Sequence, residues 1–141
     1  DEEDVVKKKI MSMFTDPNHL RVQDPGRVEG NPVFIYLDAF SRPEHFAEFL
    51  PEYQNLDELK AHYQRGGLGD VKVKKFLNNV MQAELGPIRE RRKMWEQRTE
   101  DVFDILKAGT EVAREKAAAT LHDVRSSMRI NYFEDQDFLN Q

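Results

Sequence analysis

Between Asp70 and Ile88 the apolar residues fall three and four apart: Val73, Phe76, Leu77, Val80, Met81, Leu85 and Ile88. That spacing lines one face of a helix. Nothing in the chain alternates as a strand would, and there is no internal repeat. The expected fold is therefore all-α, a bundle of about five to seven helices. Asp70 is expected to cap this long helix, with Glu84 the one polar residue on its apolar face. Gly86-Pro87 should kink or break it, because a proline inside a helix loses a backbone bond at a cost of about 3 kcal/mol. The pattern resumes with Ile88 and Trp95.

The same periodicity predicts the other helices. Residues 3–14 place Val6, Ile10, Met13 and Phe14 on one face, and Asp1 to Asp4 suit a helix N-terminus. Residues 15–31 read as loop, with turn chemistry at Asp16-Pro17-Asn18, Asp24-Pro25-Gly26 and Gly30-Asn31-Pro32. A loop this long is a functional suspect. Asn31 with Pro32 should start a helix carrying Val33, Tyr36, Leu37 and Phe40. Ser41 and Glu44 fit a capping box for a helix bearing Phe46, Phe49 and Leu50, stopped by Pro51. Asn55 should cap a helix edged by Leu56, Leu59 and Tyr63, ended by Gly66-Gly67. Thr99 is expected to cap the last helical stretch, which Gly109 would divide. The span 131–141 reads as an acidic, aperiodic tail with Tyr132 and Phe133 docking it.

Composition narrows the function. Of 141 residues, 39% are apolar and 33% charged, and no run approaches the ~18 apolar residues of a membrane-spanning helix. The opening Asp1-Glu2-Glu3-Asp4 does not look like a signal peptide, and the missing initiator Met leads us to expect a piece of a longer protein. Without cysteine, disulfides, thiolate metal sites and Cys nucleophiles are excluded. The net charge of −5 argues against a general nucleic-acid coat. Yet residues 60–98 hold ten Lys and Arg against four Asp and Glu, a local net of +6. Such a basic middle attracts a polyanion or is simply a solvated helix face.

Catalytic motifs are missing. His19, His45, His62 and His122 lack ligand spacing, so no metal site is expected. Ser12, Ser41, Ser126 and Ser127 lack a nucleophile-elbow context. Gly66-Gly67-Leu68-Gly69 follows a helix and has no GKS or GKT ending, so it reads as a helix–helix turn rather than a phosphate loop. The residues describe a helical binding or structural module.

Several ordered motifs go further: Arg65-Gly66-Gly67-Leu68-Gly69-Asp70-Val71-Lys72, then Gly86-Pro87-Ile88-Arg89-Glu90-Arg91-Arg92, then Gly109-Thr110-Glu111-Val112-Ala113-Arg114-Glu115-Lys116-Ala117. Upstream stand Phe14-Thr15-Asp16-Pro17 and Asn31-Pro32-Val33-Phe34-Ile35-Tyr36-Leu37. Their order and spacing resemble the C-terminal helical part of bacterial tryptophanyl-tRNA synthetases over about residues 3–133. Tyrosyl-tRNA synthetases share the architecture and are the nearest alternative. The HIGH-like and KMSKS signatures of the family are absent.

The resemblance implies that residues 1–133 form the helical anticodon-binding domain, with 134–141 an acidic tail. It implies a cytoplasmic parent, a homodimer that activates tryptophan with ATP and Mg and charges its tRNA. The catalytic domain would precede residue 1, so this chain alone should be inactive and without cofactor. Its partners would be the anticodon arm of tryptophan tRNA and its own catalytic domain. The expected RNA-binding residues are Thr15, Asp16, Lys72, Lys74, Lys75 and Arg89. A carboxylate such as Asp16 can accept from the N4 amino group of a cytosine in the CCA anticodon, although Asp-Pro is also ordinary turn chemistry. Lys72, Lys74 and Lys75 oppose the macrodipole of their own helix, which points to a use outside it or to a solvated first turn. Arg89, Arg91, Arg92 and Lys93 would track the anticodon stem or pair with Glu90 and Glu96. Trp95 would stack on a base or pack in the core.

Overall fold

A computed structural model describes residues 1–132. Among them are six α-helices and no strand: α1 Glu3–Met11, α2 Pro32–Phe40, α3 Pro43–Phe49, α4 Leu56–Arg65, α5 Asp70–Glu96 and α6 Thr99–Ser127. The expected all-α fold is found. The expected tail after Tyr132, with the docking of Phe133, lies outside the described residues. The chain divides into two compact units, residues 1–91 and 92–141.

In the first unit α2 lies against α4, and one core gathers Phe34, Leu37, Leu59, Tyr63, Phe76, Leu77 and Val80. The helix starts follow local chemistry. Asn31 accepts the Val33 N–H at 3.1 Å, with Pro32 at the first helical position. Asn55 accepts the Glu58 N–H at 2.9 Å, and Glu58 accepts the Gln54 N–H at 2.7 Å. Gly66 and Gly67, at φ +89° and +99°, end α4 as expected.

Other expectations are corrected. α1 stops at Met11, so Phe14 leaves the apolar face and stands 64% exposed. On α2 the buried residues are Val33, Phe34 and Leu37, while Tyr36 and Phe40 stack on each other outside the core, 6.2 Å apart. Ser41 ends α2, and Pro43 places the start of α3 one residue later, at Arg42. His45 Nδ1 accepts the Arg42 N–H at 3.2 Å, the role expected of Glu44. Asp70 is the first residue of α5, and its carboxylate turns inward to three partners. Glu84, the polar intruder, pairs with Arg42 at 2.5 Å. Of the kink or break expected at Gly86-Pro87, the break does not occur: α5 is one long helix with Pro87 inside it, since a helix whose other backbone bonds persist can pass one missing N–H.

In the second unit Arg98 starts α6 and Thr99 is its first residue, so the threonine does not cap it. The helix runs past Gly109 without interruption, and none of its residues is buried. Its spacing still places Ile105, Leu106, Val124 and Met128 as exposed apolar positions. Trp95 is half-buried under the Arg98 guanidinium, 5.0 Å from its ring, and takes no place in the core cluster. Among the described residues no helix is long and apolar enough to cross a membrane.

Candidate nucleic-acid interface

The loop of residues 12–31 is held by a half-buried carboxylate. Asp70 Oδ1 accepts the Tyr63 hydroxyl at 2.6 Å and pairs with His19 Nδ1 at 3.0 Å. Its Oδ2 accepts the Thr15 hydroxyl at 2.8 Å. Burial alone would raise the Asp70 carboxyl. The hydrogen bonds from Tyr63, His19 and Thr15 outweigh it and hold the group below its usual range. Burial and the bond to Asp70 push the Tyr63 hydroxyl well above its ordinary value. A carboxylate facing His19 Nδ1 assigns a proton to that nitrogen. His19 Nε2 is buried without a partner among the described residues.

Backbone bonds tie the same loop to the glycine turn. The Gly67 N–H donates to Val22 O at 2.7 Å, and the Gly26 N–H to Tyr63 O at 2.9 Å. A Cβ on Gly66 would overlap the Gln23 carbonyl oxygen, and one on Gly26 would overlap the Tyr63 ring. The glycines allow two chain segments to touch; they form no phosphate cradle.

On the outside of this loop residues 14–18 and 27–31 face each other across a cleft of about 270 Å³. Asp16 clasps the two walls: Oδ1 accepts the Asn18 N–H at 2.9 Å and Oδ2 the Arg27 N–H at 2.8 Å. Asn31 closes one end, donating to Arg27 O at 3.5 Å while capping α2. Phe14, Asn18, Arg27 and Glu29 line the opening.

The six expected RNA-binding residues do not form one cluster of free groups. Thr15 is bound to Asp70, and Asp16 is the clasp. Lys72 is exposed but pairs with Glu52 at 2.6 Å and lies 5.7 Å from the Tyr53 ring centre. That bond raises the Lys72 ammonium and lowers the Glu52 carboxyl. Lys74 donates to the carbonyls of Met11 and Met13, at 3.1 and 2.7 Å, and so closes the end of α1. A cation there also suits the helix C-terminus. Lys75 is exposed. Arg89 donates to Asp1 O at 3.0 Å and Gln82 Oε1 at 2.8 Å, with Glu3 at 3.9 Å, and is mostly buried. Of the downstream basic run, Arg92 pairs with Glu96 at 2.7 Å along the helix.

Phe14 and Arg27 were not expected to matter. Phe14 satisfied the period of α1 on paper, and only the early end of that helix releases it. Arg27 carries no sequence signal beyond lying in a long loop. Among the described residues no group of three His, Asp or Glu is placed to hold a metal.

No family model matches the chain. It is 57% identical over 133 residues to the tryptophan--tRNA ligase of Clostridium longisporum, covering 94% of this chain and 36% of that protein. It is 52% identical to the enzyme of the same name from Streptococcus mutans and 51% to that of Lactococcus lactis, each over 94% of this chain and 37% of the relative. The resemblance expected from the motifs is thus found along nearly the whole chain. The chain spans little more than a third of the length of these relatives. The crystal structure of tryptophanyl-tRNA synthetase from Campylobacter jejuni matches it with a TM-score of 0.64 at 23% identity, over 91% of this chain and 38% of that one. At that identity the likeness concerns the fold alone.

Proposed function

We propose, for a chain whose sequence belongs with the tryptophan–tRNA ligases, that residues 1–133 are the helical part that engages the anticodon arm of tryptophan tRNA. The 57% identity to a tryptophan--tRNA ligase over 133 residues carries this reading. The longer protein would activate tryptophan with ATP and Mg, join it to its tRNA in the cytoplasm, and work as a homodimer. Activation and transfer would belong to the catalytic domain, which this chain would meet as a partner.

Sequence-specific RNA recognition works on unstacked loop bases, through edge hydrogen bonds and stacking on flat side chains. The outer loop of residues 14–31 supports that chemistry, with an exposed ring and charged groups around a held backbone. Of the six expected residues we assign direct contact to Lys72, Lys75 and the free lone pairs of Asp16. Thr15, Lys74 and Arg89 we assign to holding the loop and helix ends in position.

The test is binding of the chain to a CCA anticodon stem-loop and to one changed at the first cytosine, at two salt concentrations. Salt-sensitive binding that weakens by about 1–3 kcal/mol on the base change supports the reading. Equal or absent binding by folded protein overturns it. That outcome would favour a docking module, for which α6, with no buried residue, is the supporting observation.

A further inference from the structure

Going beyond the anticodon-arm reading, we propose that two copies of this chain pair through α6, antiparallel, about a two-fold axis at the level of Glu115. The pairing uses this chain alone and needs no catalytic domain.

α6 runs for 29 residues without burying one. In proteins a helix is stabilised mainly by packing its apolar face on something. Such a face is present. From Val102 to Met128 apolar and small residues recur at spacings of 4, 3, 4, 4, 4, 3 and 4, with no charged residue among them. That spacing keeps them on one side of the helix.

The same spacings read identically from either end. Two copies laid antiparallel therefore meet in register. Val102 of one copy faces Met128 of the other, Leu106 faces Val124, Gly109 faces Leu121 and Ala113 faces Ala117. A two-fold interface requires this kind of self-complementarity. Large side chains close the two ends, and the small residues at the middle let the helix axes approach closely.

Charge sets the direction. Residues 99–114 hold four acids and two bases, a net of −2, and residues 116–131 hold three bases and one acid, a net of +2. Antiparallel pairing lays the acidic half of each copy beside the basic half of the other and opposes the two helix dipoles. Parallel pairing would set like charge on like.

Area sets the strength. The stripe is about 39 Å long and roughly 10 Å wide by helix geometry. It offers on the order of 400 Å² per copy, about half of a standard interface. The dimer is therefore weak and concentration-dependent.

The test is sedimentation of the whole chain from about 1 to about 500 μM, the range in which an interface this small assembles, beside Leu106→Glu and Ile105→Glu. Both side chains are 59% exposed, and only Leu106 lies on the stripe. Circular dichroism checks that α6 stays helical. Wild-type mass should climb toward twice that of the single chain. Leu106→Glu should weaken association at least about ten-fold, and Ile105→Glu less than about two-fold. The chain has no cysteine, so disulfide trapping reads the direction. In an equimolar mixture of Leu106→Cys and Val124→Cys chains, the crossed disulfide should dominate. Amides of α6, open to exchange in dilute solution, should slow as concentration rises. A chain that stays single throughout, association that helical Leu106→Glu retains, or self-linked disulfides in place of crossed ones overturns the pairing. Each of these outcomes leaves the anticodon-arm reading to its own test.

Discussion

The Tyr63 hydroxyl donates to Asp70 across 2.6 Å, on the same carboxylate that holds Thr15 and His19 of the 12–31 loop. Tyr63 is fully buried, with Phe34 and His19 rings at 4.9 and 4.8 Å. Removing only the hydroxyl, as Tyr63→Phe, leaves the packing and strips a donor from a charged acceptor. The expected loss is about 1.5–3 kcal/mol, read from the urea midpoint at neutral pH.

The same carboxylate gives a pH dependence with a definite sign. Folding holds Asp70 below its ordinary value, so the unfolded chain binds more protons. Its stabilisation is complete above the unfolded value, near 3.9, and fades as pH falls through the lowered folded value. Below about pH 4 wild type should lose stability more steeply than Asp70→Asn. Parallel curves for the two proteins would contradict this assignment.

Alanine at two glycines should move stability in opposite directions. At Gly66 the positive φ and the Gln23 carbonyl leave no room for a Cβ, so Gly66→Ala should cost more than about 1 kcal/mol. At Gly109, inside α6, a Cβ meets nothing. Gly109→Ala should raise the helicity of α6, by circular dichroism, with a gain of about 0.5–1 kcal/mol for that helix.

Leucine and isoleucine truncations should separate the two units. Leu77 is wholly buried, and Leu77→Ala should cost about 2–5 kcal/mol. Ile105 is 59% exposed, and Ile105→Ala should cost less than about 0.5 kcal/mol. Hydrogen exchange should agree, with amides of α6 exchanging well ahead of those around Leu77.

Helix starts were legible where a side chain alone decides them. Asn31-Pro32 and Asn55 work as their chemistry predicts, because an Asx cap needs only its own next residues. Ser41 and Glu44 misled because Pro43 fixes the register, and His45 supplies the acceptor. The cation run misled more deeply. Lys74 and Arg89 look like surface charge in sequence, yet each closes a chain segment more than sixty residues away. Periodicity alone likewise cannot tell a stripe with a core beneath it, as on α5, from one that buries no residue, as on α6. Asp70 shows a similar limit: its place before a helix was readable, but its three partners come from Thr15, His19 and Tyr63.

Twenty residues without helix or strand, 12–31, would ordinarily be where a protease cuts first. Here that backbone is stitched to Tyr63 and Gly67 from inside and to the Asp16 clasp from outside. A cleavage site needs an extended stretch freed from such bonds. The loop therefore opens to an enzyme only when the core around Tyr63 opens too, and its digestion becomes a gauge of the first unit's global unfolding rather than of local fraying.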